Sequence, residues 1–442
     1  MKQILCALLV LGTIASCKKK TDDPAPFVPP SNTATLTGDL TTQTLDANKK
    51  YTIVGLTYIN DGVTVTIPAG TVLLGDKASK GSLVVQRGGK LVANGTATKP
   101  IVFSSSAPVG YRNAGDWGGV ILCGKAPVNQ GNDIVIEGPS DFSITTGKGL
   151  YGGNVSNDNS GSLSYVRIEY AGIAYAPNKE INSLTMGGVG SGTTINHVQA
   201  SYGGDDSFEW FGGTVNCKYL VAYKGWDDDW DTDFGFSGKV QFGYALRGAT
   251  IADQSLSNGF ESDNDAAGSA LTPLTGAIFS NMTNIGPKVT SSVVSGNFGA
   301  GMHLRRNTAQ VVANCINLGF KTGSVFYEKG NGAYKVKRNL LDSTLARTFT
   351  AGNGCDTVGM GADNKWTKNY AAVLNNVAAA DSDLGFQKST SAGLTGAGFS
   401  DMGLTDAFFT PTTYMGAFGT TPDAAWDWTA GWLNWDPLNK VY

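Results

Sequence analysis

Eight acidic residues fall within the 29 positions from Asp205 to Asp233, where 36 Asp and Glu in 442 residues predict between two and three. They belong to the segments GGDDSFEWFGG (203–213) and GWDDDWDTDFG (225–235), and SNGFESDNDA (257–266) continues the pattern. Laid over one another, these segments align Phe208, Trp230 and Phe260 as an aromatic column beside an acidic column of Glu209, Asp231 and Glu261. The steps are 231 − 209 = 22 and 261 − 231 = 30, as if one turn carried an extra loop.

Two ionised carboxylates about 4 Å apart repel by about 1 kcal/mol in water and about 4 kcal/mol at an effective dielectric of 20. A dense acidic column therefore calls for a counter-charge or shared protons. Oxygen ligands in this number suit Ca²⁺ better than zinc, and the segments contain no His or Cys. Side chains alternate along a strand, so Asp227, Asp229, Asp231 and Asp233 are expected to share one face as metal ligands, with Asp263 continuing the column. An EF-hand is excluded, because counting from Asp229 puts Phe234 where Gly is required and Val240 where Glu is required. The competing expectation is that these carboxylates splay into solvent or cap turns through bonds to the backbone.

Glu209, Asp231 and Glu261 are the candidate ligand contacts, with Trp226 as a platform for a sugar ring. Trp230 is expected to point into the core. Asp205, Asp206, Arg305 and Arg306 are the candidate catalytic groups, although alternation forbids two adjacent strand residues such as Arg305 and Arg306 from both facing outward. The two histidines, His197 and His303, are expected to be structural, with Tyr219 as the overlay partner of His197. No phosphate-cradling loop or dinucleotide fingerprint is present.

These residues need a scaffold that repeats every 22 positions. Gly is 59 of 442, with no three-residue period, which excludes collagen and favours turn-dense β structure. Short β-branched runs such as Val63–Ile67, Ser82–Val85 and Ile101–Phe103 recur between turn residues. Val166–Gly172 overlays Val198–Gly204, which overlays Leu220–Trp226 at a step of 220 − 198 = 22. That repeat suits one turn of a right-handed parallel β-helix, an all-β solenoid, with equivalent side chains about 4.8 Å apart. The tryptophans 426, 428, 432 and 435 crowd a C-terminal segment expected to cap the coil.

The strings Thr66–Val72, Gly115–Gly119, Gly204–Asp206 with Phe211–Gly213, Leu304–Thr308 and Gly431–Pro437 resemble right-handed β-helix proteins of the pectin-lyase-like fold, found as lipoproteins or secreted proteins in Bacteroidota. Among β-helix proteins, the resemblance implies two enzyme chemistries. Lyases use carboxylate-bound Ca²⁺ with an Arg or Lys base, and polygalacturonase-like hydrolases use a Gly-Asp-Asp segment such as Gly204-Asp205-Asp206. The remaining hydrolase motifs are missing here.

The first residues carry Lys2, an apolar run from Ile4 to Ile14 and then Ala15-Ser16-Cys17. The run is too short to span a bilayer and reads as a secretory signal whose end resembles a bacterial lipobox, making Cys17 the lipidation site. The expected organisation is signal peptide 1–16, lipidated Cys17 with a tether to 35, β-helix 36–385 and C-terminal cap 386–442. Cys123, Cys217, Cys315 and Cys355 show no metal or disulfide spacing and are expected to be buried thiols. A net charge of −3 gives no reason to expect nucleic acid as a partner. The sequence thus leads to an outer-membrane, surface-displayed lipoprotein that binds a polysaccharide or other extracellular ligand with Ca²⁺. Its rivals are a polysaccharide lyase or glycoside hydrolase on the same face, and an accessory subunit of an outer-membrane nutrient importer.

Overall fold

Short strands of β-branched and aromatic residues, separated by glycine turns, stack coil upon coil in parallel register. The computed structural model describes residues 32–175, 179–328, 334–343, 363–374, 394–419 and 428–442. Cys17, Cys355, the leader and nearly all of the tether lie outside the described residues, as do 375–385 of the expected coil. No described helix is long and apolar enough to cross a membrane.

The fold is a right-handed parallel β-helix, and 25 strands among the described residues join in one connected sheet. One side of the coil is built from Ser82–Val85, Gly119–Cys123, Leu184–Gly187, Phe208–Phe211, Trp230–Asp233, Phe260–Ser262 and Met302–Arg305, each paired with the next. The other two sides share strands that turn a corner. Gly161–Glu169, Thr194–Ser201, Asn216–Tyr223, Lys239–Leu246 and Ile278–Ile285 each bend at one residue with positive φ: Tyr165, His197, Tyr219, Phe242 and Asn281. A left-handed backbone is costly for bulky residues. Here the corner recurs in register, and its rings stack at 4.3 Å (Tyr165 to His197), 4.5 Å (His197 to Tyr219) and 5.1 Å (Tyr219 to Phe242). His197 is thus one ring of a structural stack, and burial pushes its pKa down to about 4.

The core alternates with the pleat. Phe208, Trp210, Trp230 and Phe260 point inward and are fully buried, with Phe208 stacked on Trp230 at 5.3 Å. Cys123, Cys217 and Cys315 are buried thiols.

Two features cover the outside. Residues 124–160, with the antiparallel pair Ile134–Val135 and Leu150–Tyr151, pack Val128, Ile136, Phe142 and Tyr151 over the outward face of Val84, Ile121 and Phe211. The described C-terminal residues cover the flank of the coil along its length. Trp432 meets Tyr165 and His197, Trp435 meets Tyr223 and Tyr244, and Asp401 pairs with Arg338. The physical reason is the corner stack itself, a continuous aromatic strip that needs burial and accepts tryptophan edges.

Candidate functional site

The outward face of the first side is left open between the insertion and the later coils, and the acidic segments pass beneath that opening. Registers place Glu209 against Asp231, Asp231 against Glu261, and Glu261 against His303. The 30-residue step resolves into a longer connection, with 260 − 246 − 1 = 13 residues between strands where the preceding coil has 230 − 223 − 1 = 6. That loop supplies Asp253, Ser255 and Leu256 as one wall of a cleft of about 830 Å³. Glu137, from the 124–160 insertion, and Glu180, from a second antiparallel pair of Ile173–Ala174 with Glu180–Ile181, also line it.

A second polar column precedes the strands. Asn182, Asp206, Asp228 and Asn258 each stand two residues before the first residue of a strand in that side. Each side-chain oxygen accepts the backbone N–H of the coil above: Asn182 Oδ1 from Asp206 (3.2 Å), Asp206 Oδ1 from Asp228 (2.7 Å), Asp228 Oδ1 from Asn258, and Asn258 Oδ1 from Ala300 (2.8 Å). Asp206 and Asp228 thus each give one oxygen to a backbone N–H of the next coil, not to a local turn. The amides also reach into the acidic column, Asn182 Nδ2 donating to Glu209 and Asn258 Nδ2 to Glu261 at 3.1 Å.

Three overlapping sets of carboxylates result: Asp205, Asp206 and Asp227; Asp206, Glu209 and Asp231; Asp228, Asp231 and Glu261. Within each set one oxygen per residue lies within 4.8 Å of the others. Ca²⁺ to oxygen distances are about 2.3–2.6 Å, so ligands on opposite sides of the ion stand about 5 Å apart, and these sets are of the right size and donor type. Burial and then the neighbouring carboxylates push Asp205, Asp206, Glu209, Asp228 and Asp231 well above the usual carboxylate range. Burial pushes Asp227 up to about 6. Glu261 moves the other way: against its burial, a hydrogen bond from His303 and the charge of Arg305 hold it below the usual range.

The chain matches the family described as "Pectate-lyase like beta helix domain" over residues 37–433. It belongs to that family. No curated protein matches, and no solved structure does. A pectate-lyase-like β-helix domain fits a carbohydrate-binding or lyase-type role.

On this β-helix, Asp205, Asp206, Glu209, Asp227, Asp231, Glu261 and Arg305 all line the cleft. Three expected metal ligands do not. Asp229 lies inside the coil, fully shielded, paired with Arg247 at 2.8 Å. The strand starts only at Trp230, so residues 226–229 form a turn and the alternation that would put Asp229 beside Asp231 does not reach it. Asp233 and Asp263 stand in the next outward column, where Asp263 Oδ2 accepts from Arg305 Nε at 2.8 Å. Arg306 also reaches Asp263, at 3.5 Å, so both arginines engage one carboxylate. Alternation fails there because Arg306 leaves the strand with φ of 50°. Trp226 is 41% exposed and does not line the cleft itself; its Nε1 donates to the wall residue Asp253 at 3.0 Å. His303 Nδ1 lies 3.3 Å from Glu261.

Sequence reasoning passed over Asp228, Asn182, Asn258, Asp253, Glu137 and Glu180. The first three carried a signal, the constant offset of two from the aligned aromatic and apolar positions. The last three sit on connections with no repeat to betray them.

Proposed function

We propose that this protein is a surface-displayed carbohydrate-binding β-helix whose acidic cleft holds Ca²⁺ and, through it, the oxygens of a glycan. The observation that carries the reading is the row of three overlapping, all-oxygen carboxylate sets in an open cleft. Such a row is repulsive when empty and ionised, and a divalent cation relieves it while keeping coordination positions for a ligand. Trp226, exposed and bonded to the wall residue Asp253, offers a ring face for the apolar side of a sugar. The Ile14-Ala15-Ser16-Cys17 run supports lipid anchoring at Cys17 in an outer membrane, in the manner of Bacteroidota surface lipoproteins.

A second reading, a polysaccharide lyase or glycoside hydrolase at the same cleft, draws on one observation: Arg305 and His303 stand at the end of the acidic row. Arg305 is a poor proton acceptor there. Although burial works against its charge, Glu261 and Asp263 hold the guanidinium protonated even more firmly than usual. Asp205 and Asp206 are the remaining acid–base candidates, both pushed upward.

The test passes the purified chain over a panel of polysaccharides with Ca²⁺ or with a chelator, following retention and the release of reducing or unsaturated ends. Ca²⁺-dependent retention without released ends is the expected outcome. Released ends would establish the enzyme reading. Silence in both channels would sink both and favour an accessory subunit of an outer-membrane importer.

A further inference from the structure

Two successive coils turn beside the 124–160 insertion, one between strands Lys50–Ile59 and Thr64–Ile67, the next between strands Ser82–Val85 and Lys90–Asn94. Together the turns floor two cavities. One, of about 330 Å³, is lined by Asn60, Gln86 and Arg87 from the coils and by Thr146, Lys148 and Leu150 from the insertion. The other, of about 520 Å³, is lined by Thr64, Gly88 and Lys90 from the coils and by Lys125, Asn157 and Asn159 from the insertion. Asp61 lines both, so the two adjoin as one groove. Each lies in the size range of small-ligand pockets, about 300–1,000 Å³. The insertion that lends Glu137 to the acidic cleft thus walls a second opening with its other limbs.

The groove contains a donor with nothing to donate to. Gln86 is 6% exposed, and its Oε1 accepts the Gly149 N–H at 3.1 Å. That bond fixes which end of the amide is the oxygen. The other end, Nε2, is shielded and has no hydrogen-bond partner among the described residues. A buried donor without an acceptor is costly and calls for an explanation. Here the side chain lines a cavity, where an acceptor oxygen carried by a ligand would satisfy it.

The walls are pinned before any ligand arrives. Lys148 donates to Asp39 at 2.8 Å and to Asn60 at 3.1 Å, with its ammonium 4.0 Å from the centre of the Tyr58 ring. Arg87 donates to the carbonyl of Gly152 at 3.1 Å and pairs with Asp133 at 2.6 Å. A site held in place this way loses little freedom on binding.

The same contacts set the charge of the groove. Lys148 is offset by Asp39, Arg87 by Asp133, and Lys125 by Asp61 at 3.4 Å. Lys90 and Asp158 add one charge of each sign. The lining is therefore close to neutral, unlike the acidic cleft, and offers a polyanion no net attraction. What remains is amide and hydroxyl. Gln86, Asn157, Asn159 and Thr64 present donors and acceptors together, the match for sugar hydroxyls, each of which both donates and accepts.

We infer that this groove is a second saccharide site, which takes a short, uncharged stretch of glycan through hydrogen bonds to its hydroxyls and needs no metal ion. It stands apart from the calcium reading of the acidic cleft.

The test titrates the full chain, in chelator, with short manno-, xylo-, gluco- and galacto-oligosaccharides and with oligogalacturonate as their charged counterpart, following binding by saturation-transfer NMR. At least one neutral series is expected to bind. Gln86→Glu keeps an oxygen for the Gly149 N–H and takes away the donor, so affinity is expected to fall about tenfold, near the worth of one hydrogen bond. Because that substitution puts a carboxylate in a shielded position, a second variant accompanies it. Asn157→Ala changes an exposed side chain and is expected to weaken the same series with the melting temperature unchanged. No neutral binding in chelator, binding that Asn157→Ala and a folded Gln86→Glu both leave untouched, or a preference for oligogalacturonate would overturn the inference. Neutral binding that appears only with Ca²⁺ would overturn it as well and assign the sugar to the acidic cleft.

Discussion

Arg247 and Asp229 form an ion pair of 2.8 Å inside the coil, with both side chains fully shielded from solvent. The Arg247 guanidinium also lies 5.4 Å from the Phe298 ring. One acid of the densest acidic run thus serves the scaffold, while its neighbours on either side face the cleft.

Removing one partner of a buried pair leaves an uncompensated charge, a loss of about 3–5 kcal/mol. Arg247→Met is expected to lower the denaturant midpoint accordingly, with the loss smaller near pH 5, where Asp229, already pushed up to about 6 by burial, takes up a proton. Ca²⁺ stoichiometry stays unchanged in the folded fraction. A change in stoichiometry would return Asp229 to the ligand set.

Asp206 separates capping from charge. Asp206→Asn keeps an oxygen for the Asp228 N–H, so the chelated protein retains or gains thermal stability while Ca²⁺ affinity falls. Asp206→Ala leaves that buried N–H without its partner, at a cost of about 1–3 kcal/mol. Melting curves of both variants in chelator decide the matter, and equal destabilisation would count against the capping role.

The upward shifts of the cleft carboxylates fix the sign of the pH dependence. The folded state binds more protons than the unfolded chain, so stability falls as pH rises from the unfolded carboxylate pKa, near 4, through the raised folded values, about 6 for Asp227, with burial and neighbouring carboxylates raising Asp205, Asp206 and Glu209 as well. Glu261, shifted downward, opposes this only weakly. In chelator the melting temperature is expected to drop between pH 5 and pH 8, and saturating Ca²⁺ is expected to flatten the slope. A melting temperature that rises over that interval in chelator would contradict the shifts.

Two tryptophans four residues apart should behave oppositely. Trp230→Ala opens the stack with Phe208 and abandons the bond to Asn284, costing about 3–5 kcal/mol. Trp226→Ala is expected to stay within about 0.5 kcal/mol of wild type yet weaken glycan retention. Retention unchanged by Trp226→Ala would remove the ring from the binding surface.

Much of this was legible because a coil writes its register into the sequence. Phe208, Trp230 and Phe260 align by spacing alone, and the face of Glu209, Asp231 and Glu261 follows from the pleat. The pleat argument fails where the chain is not pleated. Asp229 sits in a turn before its strand, and Arg306 turns away with a left-handed backbone. Glu137 and Glu180 enter the cleft from insertions whose path no repeat encodes. The Asn182, Asp206, Asp228 and Asn258 column was written at constant offset, but its meaning depends on backbone N–H groups that only the stacked coils bring within reach.

In a solenoid each coil touches only its neighbours, so turns can fray one at a time like the teeth of a zipper. The C-terminal segment changes that mechanics. It binds Lys50 through the carbonyl of Tyr442, Gln199 through Asn434, Thr283 through the N–H of Ala417 and Arg338 through Asp401, joining coils that never meet. It is a tie-rod laid along the side away from the cleft. Repulsion along the carboxylate row acts between successive turns on one side, and the rod ties those turns together on another.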